Sequence, residues 1–132
     1  MNKNAGFSII FIILSFTAAL STCVSANAKY NLDWEGRYAG RIPSASGSGI
    51  NVQITLHSDQ TFSLIYNYID RDFYTTSSGS FDWDVTGNII AFRDSDYPPY
   101  YRVERGYLRQ LDLDGNEISG NLAGMYMLKK SE

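Results

Sequence analysis

INVQITLHSDQTFSLIYNY, residues 50–68, is the stretch whose reading decides the fold. Ile50, Val52, Ile54 and Leu56 fall on one face of an extended chain, and Asn51, Gln53, Thr55 and His57 fall on the other. An alternation of period two marks a strand with one buried face, because successive side chains of an extended backbone point to opposite sides. Ser58–Gln60 is turn-forming, and the chain returns with Phe62, Leu64, Tyr66 and Tyr68 on one side. Two such runs joined by a short polar turn predict an antiparallel hairpin.

The same period extends outward. GSFDWDV sets Phe81, Trp83 and Val85 inward. A turn at Thr86–Asn88 is followed by NIIAFRD, then YYRVE, Arg105–Gly106 and YLRQL. Asp114–Asn116 reads as a further turn before EISG, and MYMLKK closes the chain. Ile69–Ser78, polar and irregular, is expected to be a long hairpin loop. No stretch carries a helical period. About eight short strands at this spacing predict a small antiparallel barrel or sandwich. Eight strands close into a barrel whose interior is either filled by side chains or holds one small ligand.

The chain has 132 residues, enough for one domain with a sizeable core. Its first 28 residues read as an export signal. Lys3 supplies the basic start, and the apolar run Ser8–Leu20 is short against the ~20 residues a membrane span needs. Two processing sites compete. Small residues in VSANA permit cleavage after Ala28, leaving a domain of residues 29–132. LSTC, Leu20–Cys23, is similar to a bacterial lipobox, with Thr22 where a smaller residue is usual; Cys23 would then carry the lipid. Either way the folded domain has no thiol, which excludes an internal disulfide, a thiolate metal site and a cysteine nucleophile. Discounting Lys3, ten Lys and Arg stand against fourteen Asp and Glu, a net charge of −4 that does not suit nucleic acid or an anionic membrane surface.

Few residues offer chemistry. His57, the sole histidine, has the phase of a polar face beside a turn, so no catalytic triad can be assembled around it. Asp82 and Asp84 share an outward phase, as solvent-facing charges do. Asp112, Asp114 and Asn116 imitate the start of a calcium loop, but Glu117 stands where that loop needs glycine. Met125 and Met127, two apart, share a strand phase and, with His57, are weak candidates for a soft metal; gap-filling is the commoner role of methionine. DSDYPPYYR, Asp94–Arg102, predicts a loop at one barrel end, since Pro98 and Pro99 interrupt a strand. Its tyrosines either form a binding surface or cover the open end. SASGSG, residues 44–49, precedes no helix and therefore makes no anion site of the helix-terminus kind.

Taken in order, these pieces have a pattern. It runs through W-x-G-x-Y-x-G-x-x-P (Trp34–Pro43), Gly49–Ile50, D-x-T-F (Asp59–Phe62), G-x-F-x-W (Gly79–Trp83) and G-N-x-I (Gly87–Ile90). It continues through YYRV (Tyr100–Val103), L-x-x-L-D-x-D-G-N-x-I (Leu108–Ile118) and Y-x-L-K-K (Tyr126–Lys130). The pattern resembles the N-terminal domain of the NlpE family, the copper-resistance or copper-homeostasis lipoproteins, over nearly all of the exported chain. The resemblance implies an all-β fold, a small lipocalin-like antiparallel barrel, lipidated at Cys23 and held at the outer membrane, with a role in envelope, adhesion or copper stress signalling. The family loop commonly carries P-C-A-x-C-x-G-I. Here Ser44 and Gly47 occupy the two cysteine positions, so the resemblance brings no copper or redox chemistry to this loop.

The expected protein is thus a non-enzymatic envelope module with no cofactor. It would meet an envelope protein partner through a rim of the 44–49, 69–78 and 94–101 loops, with Ser44, Ser46, Gly47, Tyr74, Tyr97 and Tyr100 as its candidate residues. A lipocalin-like periplasmic carrier of a small apolar ligand is the alternative. Contact with the membrane is expected through the lipid anchor only.

Overall fold

The computed structural model describes residues 27–45 and 47–131. Cys23 and the rest of residues 1–26, where the export signal is expected, lie outside these residues, as does Ser46. A single helical turn, α1 (Ala28–Asn31), precedes eight strands: β1 (Gly36–Ile42), β2 (Ile50–Leu56), β3 (Thr61–Tyr68), β4 (Phe73–Trp83), β5 (Ile89–Phe92), β6 (Tyr100–Glu104), β7 (Tyr107–Gln110) and β8 (Met127–Lys130). All neighbours pair antiparallel, and β8 returns to β1 through Tyr38 opposite Lys130 and Ala39 opposite Lys129. The result is a closed eight-stranded barrel.

Alternation explains the closure. Ile50, Val52, Ile54 and Leu56 of β2, and Phe62, Leu64 and Tyr66 of β3, are buried as their phase requires. Tyr38, Phe81, Ile90, Phe92, Tyr101 and Leu108 complete the inner wall from the other strands. Phe62 stacks on Phe92 with centroids 3.9 Å apart, and Trp34 meets Phe81 and Trp83 edge-on at 5.8 and 5.5 Å. Each such ring or aliphatic chain contributes about 1.5–3 kcal/mol by leaving water. Gly40 makes the seam possible: a Cβ there would sit 2.9 Å from the Met127 carbonyl oxygen.

Four expectations change. Ile69–Ser78 is no loop: a 3-10 turn at Ile69–Arg71 and Asp72, with φ of 49°, reverse the chain, and β4 starts at Phe73. The β-branched Thr75 and Thr76 and the aromatic Phe73 and Tyr74 favour strand, and every residue of β3 finds a partner in β4. Val85 is fully exposed rather than inward, because β4 ends at Trp83 and Val85 sits in the following turn. EISG forms only a single bridge, Leu111 opposite Glu117, within an irregular connection from β7 to β8. Met125 and Met127 share no strand face: Met125 ends a 3-10 turn, Ala123–Met125, and Met127 opens β8.

Strand direction sorts the connections onto two poles. β1 leads away from α1, so the turns 57–60, 84–88 and 105–106 and Ser131 lie at the α1 pole. The connections 43–49, 69–72, 93–99 and 111–126 lie at the opposite pole, here called the rim.

Candidate functional site

The α1 pole is sealed by the N-terminal segment. The Asn27 side chain caps α1 by accepting from the Tyr30 amide at 3.2 Å. Ala28 is only 3 % exposed, and its amide donates to Asn88 Oδ1 at 2.8 Å. The Lys29 amide donates to the Gly87 carbonyl at 2.9 Å. Gly87 takes φ of 71° directly against Asn27, where a Cβ would come within 3.0 Å of that side chain. Two further bonds tie the segment to the seam: Tyr38 donates its hydroxyl to the Trp34 carbonyl at 2.7 Å, and Lys130 Nζ donates to the Asp33 carbonyl at 2.6 Å.

The interior between the poles is filled by rings. The hydroxyls of Tyr66 and Tyr101 and the indole N–H of Trp83 are buried without a hydrogen-bond partner among the described residues. The two hydroxyls lie near enough to influence each other's titration, yet no hydrogen bond of acceptable geometry joins them, so burial governs both. Burial pushes Tyr66 up to about 12 and Tyr101 well above its usual value. Tyr38 also rises to about 12, through burial first and the Asp33 charge second.

At the rim the sequence candidates gather at one end of the barrel but do not converge on one surface. Ser44 and Gly47 belong to the β1–β2 loop, where the Gly47 amide reaches the Ser44 carbonyl at 3.4 Å. Gly49, with φ of 98°, closes that loop so tightly that a Cβ would meet the Ile42 carbonyl at 3.0 Å. Tyr74 projects from β4 onto the outer wall, 63 % exposed. It borders an outer groove of about 510 Å³ with Arg41, Asn51, Gln53 and Asn67. Tyr97 turns inward instead. Its ring packs on Tyr66 with centroids 4.6 Å apart, and its hydroxyl donates to Thr75 Oγ1. Tyr100 opens β6 half-buried, and Tyr101 beside it is core. Tyr97 therefore covers the barrel end, while Tyr74 and Phe73, the latter not among the candidates the sequence pointed to, are exposed rings at this end. Their only sequence signal is local: two adjacent aromatic residues followed by the β-branched Thr75 and Thr76.

The remaining candidates stand apart. His57 is exposed at the α1 pole, its Nε2 3.4 Å from Ser63 Oγ. Asp82 is held by Arg93 through bonds of 2.6 and 2.7 Å, which keep its carboxyl below the usual range. Asp84 lies beyond the strand and builds the next turn. Burial raises its pKa, but bonds from the Thr86 hydroxyl and the Gly87 and Ile89 amides outweigh that and lower it. The two carboxylates are thus not a pair. Asp112 Oδ1 accepts from the Asp114 and Asn116 amides, so it shapes its own turn. Among the described residues no group of three His, Cys, Asp or Glu side chains is placed to hold a metal.

A family profile described as the NlpE N-terminal domain matches residues 38–121. The chain belongs to the NlpE N-terminal domain family. A crystal structure of a candidate lipoprotein from Shewanella oneidensis is similar at 38 % identity and a TM-score of 0.74, covering 82 % of this chain and 98 % of that one. The Cpx pathway activator NlpE from Escherichia coli shares the fold at 24 % identity and a TM-score of 0.53. That alignment covers 65 % of this chain and 46 % of the Escherichia coli protein, so this chain spans under half of its length. No curated protein matches the chain. Ser44 and Gly47 stand in the β1–β2 loop, at the rim pole.

Proposed function

We propose that this NlpE-family protein is an envelope lipoprotein that is tethered by Cys23 at its α1 pole and offers its rim to an envelope protein partner. It would act by contact, as a binding or signalling module, and not as an enzyme. Ala28 carries this reading. Cleavage after Ala28 would discard a buried residue, its bond to Asn88 and the Asn27 cap. Processing at Cys23 retains all three. Four peptide steps separate Cys23 from Asn27, a reach of roughly 14 Å when extended. A lipid there would keep α1 near the bilayer and turn Tyr74, the 43–49 loop and the 93–99 loop away from it.

The ring-filled interior favours surface contact over carriage of a small apolar ligand, since Phe62, Phe81, Phe92 and Tyr101 take up the space a carrier leaves open. Site-specific photo-crosslinking in cells tests the polarity. A crosslinker at Tyr74 should capture an envelope protein, and one at Glu35 near the α1 pole should not. Capture only from Glu35 would reverse the proposed orientation.

A further inference from the structure

The barrel wall is not paired throughout. Residues Phe73–Ser80 of β4 pair with β3 on one side. On its other side β4 pairs with β5 only at Phe81, Asp82 and Trp83. The Arg93 amide adds one bond to the Ser80 carbonyl. From Phe73 to Gly79 the second edge of β4 receives no backbone hydrogen bond from the 93–99 connection among the described residues. That connection could not supply a regular ladder, because Pro98 and Pro99 lack the amide hydrogen. It touches β4 through a side chain instead, Tyr97 to Thr75.

Protein sheets guard such edges with lysine, proline, an inward charge or a covering loop. FYTTSSG, residues 73–79, has none of the first three, and among the described residues the 93–99 connection bonds this side of β4 only at Thr75 and Ser80. Its ends are acidic: Asp72 precedes the strand, and Asp94 and Asp96 follow the lower end of the open edge, all exposed. The nearby cations are engaged, Arg71 over the Tyr68 ring at 5.5 Å and Arg93 with Asp82. Phe73 at 50 % and Tyr74 at 63 % exposure add apolar area at the upper end.

We infer that the open edge of β4, Phe73–Gly79, binds an extended peptide segment of a partner by strand addition, and that this segment carries basic residues at its flanks. Backbone pairing supplies the affinity in strand addition, and the flanking charges select the partner and speed encounter. A second copy of this chain does not fit the same edge. Antiparallel pairing of two β4 edges would bring Asp72 of each copy toward Asp94 of the other, and like charges in apposition are destabilising. The inference rests on the rim being the contact end, and it names the partner's chemistry there.

The test uses the full processed protein in nonionic detergent and a heptapeptide of alternating threonine and valine with a lysine at each end. The peptide should bind, slow hydrogen exchange across residues 73–80, and weaken as salt is raised. A glutamate-ended counterpart should bind about tenfold more weakly. A lysine-ended peptide N-methylated at alternate residues, which keeps the charge and loses one hydrogen-bonding edge, should not bind. Equal binding of the methylated or glutamate-ended peptide, no binding by any, or protection away from β4 would overturn the inference. So would protection of 73–80 that grows with protein concentration in the absence of peptide, which would mean self-pairing. Failure here leaves the crosslinking result untouched, so loss of strand addition and loss of the rim as contact end are distinguishable.

Discussion

The Ala28 amide and the Asn88 side-chain carbonyl meet at 2.8 Å across sixty positions of sequence. This bond joins the first described helical turn to the β4–β5 turn and makes the segment before β1 part of the folded domain. Removing its acceptor should therefore loosen that pole. Asn88→Ala is expected to lower unfolding free energy by about 1 kcal/mol in urea titration, and to raise exchange at residues 28–32.

Tyr66 predicts the opposite sign. Its hydroxyl is buried without a partner among the described residues, so it contributes desolvation cost and no bond. Tyr66→Phe should leave stability unchanged or raise it by up to about 1 kcal/mol. A loss of several kcal/mol on urea denaturation would mean that the hydroxyl is bonded.

Alkaline pH should unfold the barrel through the same rings. Tyr38 and Tyr66 rise from an ordinary value of 10.0 to about 12 on folding. The folded state then holds these protons more tightly than the unfolded chain does. Stability from this source is fully present below pH 10 and is lost as pH rises from 10 toward 12. Urea midpoints measured across that window should fall, and Tyr66→Phe should flatten part of the slope.

Gly40 sets the closure of the barrel. A methyl group there would meet the Met127 carbonyl oxygen at 2.9 Å and Leu128 Cδ2 at 3.0 Å, at the β1–β8 seam. Gly40→Ala should cost about 1–3 kcal/mol in the urea midpoint analysis and raise amide exchange first at Met127–Lys130.

Much of this fold is legible in residues 50–68, because one face of β2 and β3 is buried and the other is wet. Legibility ends where that contrast ends. Residues 73–79 of β4 rise toward the rim, where their second edge pairs with no strand among the described residues, so Ser and Thr serve on both faces and the period-two signal vanishes. Val85 follows the alternation in sequence, yet β4 has already turned at Asp84, whose carboxylate gathers the amides of the turn. The rim connections 43–49 and 93–99 are legible as loops, since glycine and proline mark them. The inward turn of Tyr97 is not, because it depends on Tyr66 and Thr75, which no local pattern brings near. Asn27 and Ala28 read as the end of an export signal. Only the contacts with Gly87 and Asn88 make them part of the barrel.

The most direct test of that last relationship is the intact mass of the processed protein from a native envelope fraction. A chain beginning at acylated Cys23 is the predicted result: it keeps Asn27 and Ala28 in place and fixes the α1 pole at the membrane. An unmodified chain beginning at Lys29 would contradict the account, since the domain would then fold without its cap, without Ala28 and without a tether.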